Sequence, residues 1–349
     1  MLVHADTFSR YGAGPDVSYM LNGLWAEVGR ADIVNDPDGV STGKAIVFGG
    51  NLNSSGYARF VLPNLNATSG ISCRLWVDAL SSAPGDNSAI PMIWWNDAGT
   101  RLAEVRFTAT GRAVLYYAGV VIATSANPVI TANAWWHLEA KFVFASGSGA
   151  TFELRREGVP VLTASGFTTA LYPHSAGFGA SRFGTTGGVA CYYKDLVIWD
   201  GTGSYNKDFM GAVVVYDLLP TADVDIGGWT STAANGYSVL DNNPPSDSAY
   251  ISAAYPVPSP CEFSFSDLPS NITSVKGLIT RIRAAKVDGG DGQLQVSVVS
   301  DASEQAGSDR PITVAQTYYQ DVFEVDPATS SPWVPLAVAD VSIKLDRTV

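Results

Sequence analysis

The feature that most restricts this chain is a succession of short apolar segments, separated by turn residues, that never sustains a helical period. The clearest is Ala134–Phe144: Trp136, Leu138, Ala140, Phe142 and Phe144 fall on one side of an extended backbone, and Trp135, His137, Glu139 and Lys141 on the other. Lys44–Phe48, Tyr57–Leu62, Ile71–Val77, Ile90–Trp95, Leu102–Phe107 and Ala113–Tyr117 precede it, bounded by Gly, Asn, Ser or Pro. Thr151–Arg156 and Val159–Ala164 follow as a hairpin about the tight turn Glu157–Gly158, and then comes Tyr192–Trp199. Strands of this length and spacing predict a sandwich or barrel. The composition agrees, since 34 Gly, 15 Tyr, 9 Trp and a charged fraction of only 15% suit turns and sheets better than helices.

At 349 residues the chain is long enough for two domains. Residues 1–203 hold 13 Lys/Arg and 15 Asp/Glu, a balance of −2, whereas residues 204–349 hold 8 and 18, a balance of −10. The turn Asp200-Gly201-Thr202-Gly203-Ser204 lies at this step, so domains 1–203 and 204–349 are expected. The second is also read as β-rich. Ala212–Leu218, Ala249–Ser252, Cys261–Ser266, Pro311–Val325 and Val341–Asp346 are strand candidates, and Pro335–Ala339 a single helical turn. Ser274–Lys286 fits either period. The glycine-rich turn after it, followed by alternating Leu294, Val296 and Val298, favours a strand in a hairpin.

A net charge of −12 and a pI near 4.6 would repel a phosphate backbone, so nucleic acid is not an expected partner. No stretch of about 18 apolar residues suggests membrane insertion, and the start lacks the basic and apolar regions of an export signal. Cys73, Cys191 and Cys261 are widely spread and read as strand fillers, with no metal-binding spacing and no cofactor implied.

Two sets of residues carry a resemblance. Trp135-Trp136-His137-Leu138-Glu139, the hairpin Glu153–Val161 and the closing strand Lys194–Asp200 resemble the concanavalin A-like (laminin-G-like) jelly roll over residues 5–203. Glu157 stands where that family often has Asp, and Leu138 where it has Val. Asp208-Phe209-Met210-Gly211-Ala212-Val213-Val214-Val215, then Leu218–Asp223 and Gly228-Trp229-Thr230, resemble a recurrent stretch of tailed-bacteriophage structural proteins. So do Glu324–Thr329 and Trp333, with Met210, Ala212 and Ser330-Ser331 departing from that pattern. The resemblance implies an all-β virion protein: an N-terminal concanavalin A-like jelly-roll sandwich followed by a second β-sandwich-like domain. It would be made in the host bacterial cytoplasm and carried on the virion.

The jelly-roll family includes retaining β-glucanases, which need two carboxylates about 5–5.5 Å apart, set in an E-x-D-x-x-E strand. The chain's E-x-D is Glu324-Val325-Asp326, three residues later stands Thr329, and the segment lies in the second half. No G-x-S-x-G serine elbow exists, and His4, His137 and His174 lie far apart, with His137 read as an exposed strand residue. The expectation is a protein without catalytic activity or catalytic residues. Asn35-Asp36-Pro37-Asp38-Gly39 lacks the ligand spacing of a calcium loop, so it is read as a solvated turn, and Asp223-Val224-Asp225 as an acidic loop; no metal site is expected.

Adjacent aromatics in a strand must face opposite ways, so Trp94-Trp95, Tyr116-Tyr117 and Trp135-Trp136 each place a ring outside or at the rim of the core. Trp95, Tyr117 and Trp135 are therefore the expected ligand-binding residues, either for a host-surface glycan or for contacts between copies. The functional expectation is a tail-fibre or tail-tip receptor-binding component, a homotrimer bound to other virion proteins. The alternative is a purely structural capsid decoration, head spike or tail-tip scaffold.

Overall fold

The computed structural model describes residues 1–8, 11, 25, 27–29, 31–38, 44–49, 56–63, 66–80, 89–169, 172–180, 190–242, 245–254, 259–287 and 289–348. Those residues form two compact units, one ending at Val215 and the other beginning at Tyr216. Both are built of strands.

The first unit contains β1 (Leu2–Asp6), β2 (Glu27–Gly29), β3 (Ala31–Asn35), β4 (Lys44–Gly49), β5 (Gly56–Val61), β6 (Thr68–Val77), β7 (Ala89–Trp95), β8 (Arg101–Phe107), β9 (Ala113–Tyr117) and β10 (Val120–Thr124). It continues with β11 (Trp136–Val143), β12 (Ala150–Arg156), β13 (Val159–Phe167), β14 (Ser175–Ala180) and β15 (Ala190–Asp200). Among the described residues one sheet has the order β13-β12-β11-β6-β15-β4-β3, with β1 also pairing β15, and the other β10-β9-β8-β7-β14-β5-β2. Every pairing is antiparallel. This is a jelly-roll sandwich with aromatic rings between the sheets. Phe142 stacks on Phe144 at 4.0 Å and meets Trp94 at 5.6 Å, while Phe178 packs on Phe48 and Tyr193.

The alternation read in Ala134–Phe144 holds: Leu138, Ala140 and Phe142 point into the core, and Glu139 and Lys141 outward. The β12–β13 turn has Glu157 and Gly158 both at positive φ, 49° and 79°, the geometry of a type I′ hairpin. β14, Ser-Ala-Gly-Phe-Gly-Ala, escapes the apolar pattern because it is made of small residues, yet every position is buried between β7 and β5.

In the second unit one sheet runs Pro220–Asp225, Cys261–Phe265, Ser342–Arg347, Gln293–Ser300, Ser303–Ala306, with Arg310–Pro311 also on Gln293–Ser300. Leu278–Ala284 pairs with Thr317–Phe323. Cys261, Phe263, Leu294, Val296 and Leu345 form one buried cluster; Val298, Phe323, Trp333, Val338 and Val341 form another, in which Trp333 Nε1 donates to Phe323 O at 3.0 Å. Pro335–Ala339 is the expected short helix.

Three readings of the sequence are corrected here. Leu278–Ala284 is a strand, but its partner is Thr317–Phe323 and not the next strand, which pairs with Ser342–Arg347. Ala212–Leu218 is not a strand; one of its backbone donors, Val215 N, is taken by the Asp195 side chain, as described below. Asp36 is no solvated turn residue, since it is buried and its Oδ2 accepts from Lys194 Nζ at 2.7 Å.

Candidate functional site

The face of the β2-bearing sheet that looks away from the sandwich core carries a continuous cross-strand row. Tyr116, Glu104, Ile93, Gly177 and Arg59 are successive partners on β9, β8, β7, β14 and β5. Neighbouring strands lie about 4.8 Å apart, so five of them span roughly 19 Å. Gly177 is buried and has no room for a side chain, since an added Cβ would meet Ala58 O at 1.9 Å. Tyr57, Trp95, Arg101 and Arg106 flank the row.

Electrostatically the face centres on Glu104, which is 5% exposed. Arg101 Nη1 donates to its Oε2 at 3.1 Å, and Arg106 Nε donates to its Oε1 at 2.7 Å with Nη2 on the same oxygen. A carboxylate so shielded from water is retained because it is paired and hydrogen-bonded. Each guanidinium also lies over a ring, Arg106 over Tyr116 at 4.8 Å and Arg101 over Tyr57 at 5.9 Å. Two cations are held by one carboxylate, with their planar faces against rings.

The opposite sheet presents a different outer face, closed by residues 208–215. Glu139 is fully buried and accepts from Met210 N at 2.7 Å and Gly211 N at 3.1 Å. Asp195 Oδ1 accepts from Val215 N at 3.1 Å. Burial raises both carboxyls, partly offset by these backbone donors. Phe209 packs under Arg155 at 3.7 Å and beside Trp199 at 6.3 Å, and Asp208 pairs with Lys141 at 2.9 Å. The Asp-Phe-Met-Gly stretch is thus bound to the jelly roll by its own side chains and backbone.

His137 also faces this side, and the expectation that it is exposed is corrected: it is 2% exposed, its Nε2 is 2.8 Å from Ser72 Oγ, and burial holds it down at about 4. Of the expected ligand-binding residues, Trp95 belongs to the Glu104 face but is 2% exposed, packed with Ile90, Ile93 and Tyr57. Trp94 is buried on the other side, so neither ring of that pair stands free. Tyr117 turns inward, 6.3 Å from Phe142. Trp135 is half-buried beside Trp76 at 5.9 Å with Lys194 Nζ 4.2 Å from its ring, on the other sheet. The three therefore do not form one site. Sequence reasoning missed Arg59, Arg101, Glu104, Arg106, Tyr57 and Tyr116; the available signal is Arg101-x-x-Glu104-x-Arg106, charges set within an otherwise apolar strand.

No family model matches the sequence, and no curated protein matches it. Solved structures similar to it include a sialidase, at 11% identity over 57% of this chain and 18% of that one, with a TM-score of 0.42. Alginate lyase Aly36B is similar at 13% identity over 56% of this chain and 96% of that one, TM-score 0.39. An endo-β-1,4-glucuronan lyase from the fungus Trichoderma reesei is similar at 12% over 51% and 92%, TM-score 0.37. The chain spans 18% of the sialidase's length. These are β-sandwich jelly-roll carbohydrate-active proteins, and the likeness is one of fold. The reading of the sequence as a protein without catalytic activity is corrected by this finding, since polysaccharide lyases and sialidases are among the similar structures. That reading rested on hydrolytic motifs alone, and a lyase breaks its bond without water.

Proposed function

We propose that this chain is a glycan-contacting component of a tailed-bacteriophage particle, with the Tyr116–Arg59 face as its contact surface. Tyr116, Glu104 and Arg59 in the row, with Tyr57, Arg101 and Arg106 beside it, carry the reading; Ile93 and Gly177 between them are buried. Sugar rings present apolar faces that stack on Tyr and Trp and hydroxyls that need fixed donors and acceptors, and a sheet face supplies both over several units. The particle part of the proposal rests on the resemblance of residues 208–230 and 324–333, which also supports assembly with other virion proteins as a homotrimer.

Purified protein should bind host cells and extracted host polysaccharide, compete with particle adsorption, and lose binding in Tyr116→Ala. Incubation with the polysaccharide also reads cleavage, through viscosity and the near-ultraviolet absorbance of new unsaturated ends. Particle labelling that finds the protein on the capsid, with no binding to cells or polysaccharide, would replace this reading with a structural one.

A further inference from the structure

We infer that the side of the sandwich formed by β10 and β13 is the surface through which copies of this chain join. The inference rests on the homotrimer of the proposed function and adds to it the strands that make the contact.

Charged residues make up 15% of the chain, yet residues 113–138 and 158–181 contain no Asp, Glu, Lys or Arg. The fold brings a strand from each of these stretches to one side of the sandwich. β10 ends one sheet, β13 ends the other, and the two lie against each other. Among the described residues neither strand is paired on its outer side, so both present a row of open backbone N–H and C=O groups. Val120, Val121 and Val159 stand along them 63%, 51% and 63% exposed. The opposite side of the sandwich ends in β2, three residues long and containing Glu27, and in β3, which carries Asp32. Charge and shortness are what keep a sheet edge from pairing; the β10–β13 side has no charge, and β13 is nine residues long. Bulges at Val161 and Gly166 confine the regular ladder of β13 to Leu162–Ser165, which suits one short joint and not a continuous sheet.

The occupant that fits is a second copy. The chain carries −12, so two copies repel wherever their charges meet, and an uncharged side is where that repulsion is least. An open ladder is also completed by another open ladder. β10 of one copy laid on β13 of the next is a head-to-tail contact, the kind that closes into a ring.

Light scattering of the full chain at micromolar concentration should give three times the 36.8 kDa of one copy. Val121→Lys and Thr163→Lys put a charge into each edge at exposed positions, and each should weaken association roughly tenfold or more. Val314→Lys, at a valine 65% exposed in the second unit, should leave the mass unchanged. Should an edge variant fail to fold, amide exchange of the unaltered protein reads the same contact: Val120–Thr124 and Leu162–Ser165 should be protected at high concentration and not at low. A dimer that is lost in the same variants keeps this side as the interface and replaces the ring of three. An oligomer whose mass neither edge variant moves overturns the inference alone. A monomer at every concentration overturns the homotrimer with it. Neither result touches the glycan reading, which is judged by polysaccharide binding and its loss in Tyr116→Ala.

Discussion

His137 makes the stability of the first unit pH-dependent in a way that can be worked out in advance. Its ring is 2% exposed, Nε2 meets Ser72 Oγ at 2.8 Å, and Nδ1 has no hydrogen-bond partner among the described residues. Protonation would bury a charge and an unpaired N–H together. Burial, helped by Arg74 and opposed by Glu157, accordingly lowers the group from 6.5 to about 4. A folded-state value below the unfolded one means stability that is present above pH 6.5 and lost as the pH falls towards about 4. At about 1.4 kcal/mol per unit, the loss amounts to about 3 kcal/mol. Glu139 and Asp195 are raised by burial and act in the opposite sense, adding stability as the pH falls through their folded values. The measurement is therefore a difference. Urea unfolding followed by Trp fluorescence, in which seven of nine Trp precede residue 204, should be run on the native protein and His137→Gln between pH 7.5 and 4. The Gln amide can still bond Ser72, so the variant should cost most at pH 7.5, and that cost should shrink by about 3 kcal/mol on the way to pH 4. A difference that stays constant, or grows towards acid, would refute the assignment of a buried neutral imidazole.

Glu139→Ala should free Met210 and Gly211 amides to exchange and cost about 2–4 kcal/mol in chemical unfolding, since two donors lose a buried charged acceptor. Gly70→Ala should lower the melting temperature by several degrees, because its Cβ would come within 1.9 Å of the buried Trp199 ring; a cost of about 1–3 kcal/mol is expected from overpacking. Native protein should leave Cys73, Cys191 and Cys261 unreacted with a thiol reagent: all three are free and buried, and burial pushes each thiol up, Cys261 to about 12. Three equivalents should react once the chain is unfolded.

How much of this was legible in the sequence depends on what each residue answers to. Strands such as Trp136–Val143 and Ala113–Tyr117 are written locally, since one buried face forces period two whatever lies across from it. β14 is written only by its neighbours: Gly177 and Gly179 are there because Ala58 O and Gly56 O approach within 1.9 and 2.3 Å of where a Cβ would stand, and no local rule carries that information. The same holds for Gly70, whose missing side chain is the space that Trp199, more than a hundred residues away, occupies. Alternation could say that Trp94 and Trp95 face opposite sides, but not that the outer side would be covered too, so exposure was inferred where only direction was given. The Glu104 cluster was hidden for a related reason. Arg101 and Glu104 do not share a face in a regular strand; they meet because the register shifts between Trp94 and Trp95, which sets Arg101 opposite Trp95 while Glu104 stays opposite Ile93. Binding chemistry on a sheet is thus assembled across strands and at bulges, at positions where the sequence pattern by itself registers only a break in the apolar run.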